Sequence, residues 1–138
     1  MWERCSLATR IGRFHAPVRH IPASYLRTVL SDPSASLVAV DSRAGVVVAL
    51  ASLVPADGSS AELGVLVENA WQRRGIGRQL VALLIGAPSA SRLTELTASV
   101  LAEDARVADL LRQVPGDFSL TREGTTITVR IRLTVARD

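Results

Sequence analysis

Seven consecutive residues, Gln72-Arg73-Arg74-Gly75-Ile76-Gly77-Arg78, have the types and spacing to hold an anion. Each guanidinium can grip a phosphate through two parallel hydrogen bonds. Glycines at 75 and 77 remove the side chains that would keep an anion away from the backbone N–H groups. Those donors matter most where a helix begins, because its first turn has unpaired N–H groups and the positive end of the dipole. The chemistry suited to this stretch is the binding of a phosphate or pyrophosphate. A P-loop would need Lys-Ser/Thr after the second glycine, and a dinucleotide fingerprint would need glycine or alanine where Leu80 stands.

The elements around the stretch are those required. Leu63-Gly64-Val65-Leu66-Val67 is a short apolar run that reads as a buried strand, and Glu68-Asn69-Ala70 follows as a polar turn. Ile76, Leu80, Leu83 and Leu84 then recur at helical spacing as one apolar face. The order is strand, glycine-rich loop, helix.

At these residues the chain resembles the GNAT superfamily of acyl-CoA N-acyltransferases. The family signature, Gln/Arg-x-x-Gly-x-Gly/Ala between the fourth strand and the next helix, reads here as Gln72-Arg73-Arg74-Gly75-Ile76-Gly77, with Trp71 just ahead of it. The resemblance covers the element order from about residue 20 to the C-terminus. It implies an α/β fold: a mixed, mostly antiparallel sheet of six to seven strands, splayed between strands 4 and 5, with helices on both faces.

It also implies acetyl-CoA as co-substrate and transfer of the acetyl group to a primary amine, on a small molecule or a protein. By position, the pantetheine arm falls to the backbone of Val65, Leu66 and Val67. The pyrophosphate falls to the stretch from Gln72 through Arg73, Arg74, Gly75, Ile76, Gly77 and Arg78. Several family members carry a glutamate early in the fourth strand, and Ala61-Glu62-Leu63 is similar to their pattern. A carboxylate held by apolar neighbours there is suited to take a proton from an ammonium substrate through water. The other reading of Glu62 is a surface glutamate at a strand's edge. The family often starts its last core helix with Asn and places Tyr seven residues on, to protonate the leaving thiolate. Asp104 and Leu111 stand there instead. Asp104 can cap the helix and accept a hydrogen bond from CoA; Leu111 has no proton to give. That departure leaves a second reading, a catalytically weak acyl-CoA-binding regulatory module.

The other segments follow from pattern. Trp2 to Ile11 reads as a first strand, and residues 1–18 are the least legible part of a single domain spanning 1–138. Pro22 suits a helix's first turn, with Leu26, Val29 and Leu30 as its apolar face and Ser31-Asp32-Pro33 as its end. One helix ahead of the second strand implies a shortened acceptor side. Leu37–Val40 and Val46–Val54 form a hairpin about 41–45, and Leu93–Leu101 is a further strand. Val107, Leu110, Leu111 and Val114 mark a second core helix capped by Asp104. Phe118–Arg122 pairs with the alternating strand Ile127, Val129, Ile131, Leu133, Val135, which offers an edge that a second copy could cover.

Composition bounds the function. All sixteen basic residues are arginine, the net charge is +3, and aromatics are 4% of residues. The absence of lysine rules out a Schiff-base lysine, and we read it as codon bias of a G+C-rich genome; a bacterial source is implied only by the family resemblance. Scattered arginines with few aromatics speak against nucleic-acid binding, which rests on charge alone. The single Cys5 rules out an intramolecular disulfide framework and suits a reducing cytoplasm. No apolar stretch approaches the roughly 20 residues of a membrane helix. His15, His20 and Cys5 lack the partners for a metal site, and His20 and Tyr25 read as surface or packing residues near the acceptor cleft.

Overall fold

The computed structural model describes residues 1–16, 18–102 and 105–134. The chain opens with a 3-10 turn, Trp2–Arg4, and then a helix, α1, over Leu7–Phe14. The strand expected over Trp2 to Ile11 is absent. Ser6 caps the helix by accepting a hydrogen bond from the Thr9 N–H at 3.1 Å, and Leu7, Ile11 and Phe14 sit at helical spacing behind it. A second helix, α2, spans Ala23–Ser31, with Pro22 at its N-cap and Asp32 at its C-cap. Two helices thus precede the first strand, and the expected shortening of the acceptor side does not occur.

The remaining elements follow the expected order. Strands β1 (Ser36–Asp41), β2 (Val46–Pro55) and β3 (Ser60–Val67) lead into α3 (Ile76–Gly86). Strand β4 (Glu95–Leu101), helix α4 (Ala105–Leu111), and strands β5 (Gly116–Glu123) and β6 (Thr126–Leu133) complete the described chain.

The six strands form one sheet in the order β1-β2-β3-β4-β6-β5. All neighbours are antiparallel except β3 and β4, which run parallel. With no strand at the N-terminus, the splay expected between strands 4 and 5 falls between β3 and β4. Ser60, Ala61 and Glu62 pair with Glu95, Leu96 and Thr97, and there the ladder stops. Each strand stays paired on its other side: β3 with β2 from Ala61 to Val67, β4 with β6 from Glu95 to Leu101. The sheet opens as a wedge with its apex at Glu62. The closing strand is not an edge as expected. The β5–β6 hairpin inserts β6 beside β4, so its backbone is paired on both sides and the edges are β1 and β5.

Strand alternation sorts the faces. Ala49, Ala51, Leu53, Leu63, Leu96, Ala98, Val100, Val129 and Ile131 belong to the main core, which also takes Leu80, Val81 and Leu84 of α3 and Leu111 of α4. Leu83 belongs to the other side of α3 and is 66% exposed, so the buried stripe runs Gly77, Leu80, Val81, Leu84. A smaller cluster on the opposite face joins Trp2, Cys5 and Leu66 to Phe14, Val18 and Ile21. The helices therefore cover both faces. No helix among the described residues is long and apolar enough to cross a membrane.

Candidate functional site

A cleft of about 1010 Å³ follows the wedge, bounded by α1, β3, the glycine loop, the start of α3, β4 and α4. Its floor at one end is the N-terminus of α3. Gly75 is the N-cap, with φ 78°, and has no side chain to cap the first turn. A β-carbon there would meet nothing within 4 Å, so the space above the helix start is open. Gly77 is the opposite case. A β-carbon would press on Leu110 Cδ1 at 3.2 Å and Val65 Cγ1 at 3.5 Å, so glycine lets α3 seat against β3. The result is a helix start with unfilled N–H donors facing an open cleft. Such a cradle suits a diphosphate.

The loop residues divide their work. Arg73 adopts a left-handed conformation, φ 63°, and with Gly75, Ile76, Gly77 and Arg78 it lines the cleft. Arg74 does not line it; its guanidinium stacks 4.7 Å from the Trp71 ring centroid. Gln72 also lines the cleft, yet its side-chain amide is already used, donating to the Val67 carbonyl at 3.0 Å and to Thr9 Oγ1 at 3.2 Å. Of the backbone groups expected to take the pantetheine arm, those of Val65 point into the unpaired stretch, those of Leu66 pair with Leu50 of β2, and the Val67 carbonyl is taken by Gln72. Asp104 lies outside the described residues. Leu111 is 1% exposed and lines the cleft as a hydrocarbon wall with no proton to give.

The opening turn and α1 are fastened onto the loop through three residue pairs. Arg4 Nε donates to Glu68 Oε1 at 2.8 Å, Ser6 N–H donates to Asn69 Oδ1 at 2.7 Å, and Gln72 reaches Thr9. Glu68 is no solvated turn residue: it is 5% exposed. The hydrogen bond that Arg4 donates to Glu68 holds the guanidinium above its usual pKa. Burial, and then the Glu68 charge, push the neighbouring Cys5 thiol up, which makes Cys5 a poor nucleophile.

Glu62 lines the cleft at the apex of the wedge, the last residue of β3 paired to β4. Its side chain is exposed, not held among apolar groups as expected, because its face of the sheet is covered by α1 and α2 only farther along β3. Two residues on, the same face carries Gly64, and a β-carbon at 64 would overlap the Arg13 guanidinium. Arg13 is held there by aromatic rings, 4.6 Å from the Phe14 centroid and 4.7 Å from that of Tyr25. Tyr25 is itself anchored by a 2.6 Å hydrogen bond to Ser52, a fully buried residue and the cross-strand partner of Gly64.

Arg13 and His15, both lining the cleft, were not singled out as site residues from sequence. His15 takes a left-handed conformation, φ 58°, at the C-cap of α1, and its buried Nε2 has no hydrogen-bond partner among the described residues. A glycine inside an apolar strand, Gly64, was the signal available, since it marks a close approach to the backbone.

A mixed sheet splayed at a parallel pair, with a glycine cradle beside the gap, defines an acyltransferase-type fold. The model of the acetyltransferase (GNAT) family matches residues 5–113, and the chain belongs to that family. No curated protein sequence matches it. Among solved structures, it is similar to the GNAT domain of S. lividans PAT, with a TM-score of 0.79 and 19% identity over 96% of this chain and 81% of that one. It is also similar to yncA of Salmonella typhimurium, a putative acetyltransferase solved with its cofactor acetyl-CoA. That match has a TM-score of 0.68 and 18% identity over 100% of this chain and 93% of that one. A third is the ribosomal-protein-alanine N-acetyltransferase of Brucella melitensis, with a TM-score of 0.63 and 26% identity over 80% of this chain and 75% of that one.

Proposed function

We propose that this protein is an acetyl-CoA-dependent N-acetyltransferase that transfers the acetyl group directly to a primary amine, with both substrates bound together. The observation that supports it most is the wedge between β3 and β4 lying beside the open N-terminus of α3. The yncA structure, solved with acetyl-CoA, supports the choice of cofactor.

In this reading the amides from Arg73 to Arg78 and the Arg73 and Arg78 guanidiniums hold the pyrophosphate. The backbone of Leu63 and Val65 that points into the gap receives the pantetheine arm as an added strand. Gln72 serves the loop itself, by tying it to β3 and α1. Holding thioester and amine together removes much of the entropic barrier. β3 amides face the developing charge on the carbonyl oxygen. Glu62, in water at the apex, takes the ammonium proton through a bridging water, leaving the amine lone pair free to form the C–N bond as the C–S bond breaks. Leu111 supplies no proton, so the sulfur leaves as thiolate and is protonated from solvent.

The test is titration calorimetry with acetyl-CoA, followed by product analysis with an amine panel. We expect saturable binding and amine-dependent release of CoA; no heat at millimolar ligand overturns the reading. Leu111 at the place of a proton donor favours one second reading, an acyl-CoA-binding regulatory module. Binding without acetylation of any amine would select it.

A further inference from the structure

We infer that Arg13 sets acceptor specificity: it receives a carboxylate on the acceptor, so the amine substrate is amino-acid-like and not an uncharged amine. This rests on the transferase reading above and adds the substrate class. Arg13 is a half-buried cation whose two ring contacts fix its guanidinium over Gly64. Stacking uses the face of the guanidinium; the N–H donors lie in its plane, at the edge. Those donors are unused among the described residues. Among the described residues the ion pairs are Arg4–Glu68, Arg112–Asp109 and Arg130–Glu95, and no hydrogen bond from Arg13 is made. Its neighbour on α1 behaves differently: Arg10 stacks over Trp2 at 4.9 Å and also donates to the Trp2 carbonyl at 3.0 Å.

A half-desolvated guanidinium with free donors is matched by a planar oxyacid that takes two parallel hydrogen bonds. Position supplies the rest. Gly64 follows Glu62 on one face of β3, a repeat of about 6.7 Å. A base for the amine and a fork for the carboxylate therefore stand on one face of the strand, a span that an amino acid bridges together with the water that relays its proton. Gly64 is what allows it, since any side chain there would displace the guanidinium.

The experiment compares kcat/KM for a panel of common L-amino acids with that for their α-amides, using acetyl-CoA as donor, after acetyl-CoA binding has been measured by titration. We expect the acids to be preferred by about 10- to 100-fold, the range for a hydrogen bond to a charged group. In Arg13→Gln the ratio should fall towards one; Arg13→Lys, which keeps the charge but not the fork, should retain part of it. An Arg13 that merely packed α1 on the sheet would lower acids and amides alike and leave the ratio unmoved. If Arg13→Gln fails to fold, the ratios for wild type and Arg13→Lys decide. Acids and amides used equally by the wild type, turnover of neither, or a ratio unchanged by both substitutions overturns the carboxylate assignment. Each of these leaves the cofactor reading standing while acetyl-CoA still binds. Absence of acetyl-CoA binding overturns both.

Discussion

Glu62 is the last residue of β3 paired to β4, and its carboxylate stands in water at the apex of the cleft. A base there needs no buried setting if a water molecule relays the proton, and its contribution is then that of ordinary general-base catalysis. Glu62→Gln keeps the size and hydrogen-bonding capacity of the side chain while removing the base. We expect kcat/KM to fall by about 10²- to 10⁴-fold with acetyl-CoA affinity unchanged. Near wild-type activity would mean that the amine loses its proton by another route. At this scale legibility followed sequence distance. The glycine loop could be read because its residues are adjacent and its chemistry is local. Arg13 could not, because its place over Gly64 depends on a contact 51 positions away (64 less 13) and on two rings from separate helices.

Among the elements, α1 is where the sequence pattern and the fold part. The pattern from Trp2 to Ile11 mixes apolar and polar residues at spacings that fit either period, and what decides for the helix is the Ser6 cap together with its docking on Glu68, Asn69 and Gln72. The hairpins and α3 repeat one period cleanly, and their turns carry Gly45 and Gly124, both at positive φ. The docking of α1 has a pH signature. Cys5 lies beneath it, and burial and Glu68 both raise its thiol pKa. A thiol that holds its proton more tightly when folded adds stability that is complete below the unfolded value, about 8.5, and is lost as pH rises through the higher folded value. Above pH 8.5 the wild type should therefore lose thermal stability relative to Cys5→Ala, by at most about 1.4 kcal/mol per pH unit. Parallel melting curves from pH 7 to 10 check the sign. Curves that stay a constant distance apart would show that the thiol does not titrate differently on folding.

Over the whole molecule, the sheet consists of two antiparallel halves, β1-β2-β3 and β4-β6-β5, joined through the sheet by a three-pair parallel ladder, Ser60–Glu62 with Glu95–Thr97. Past that ladder the inner edge of β3 has no strand beside it, and the wedge exposes backbone that a closed sheet would satisfy. Exposed ladder groups invite strand addition, and a pantetheine arm can supply it with one amide at a time. A ligand that spans the gap should stabilise the fold by mass action, about 2.7 kcal/mol at a hundredfold excess over Kd, or roughly 5–10 °C in Tm. Hydrogen exchange then separates the two parts of the site. With acetyl-CoA bound, amides at 75–78 should be protected by the pyrophosphate and the gap-facing amides of Leu63 and Val65 by the arm. Inorganic pyrophosphate should protect only the first set. If acetyl-CoA also slows exchange at 75–78 alone, the diphosphate is held but the arm does not enter the wedge. The splay would then be a structural opening with no part in holding the thioester.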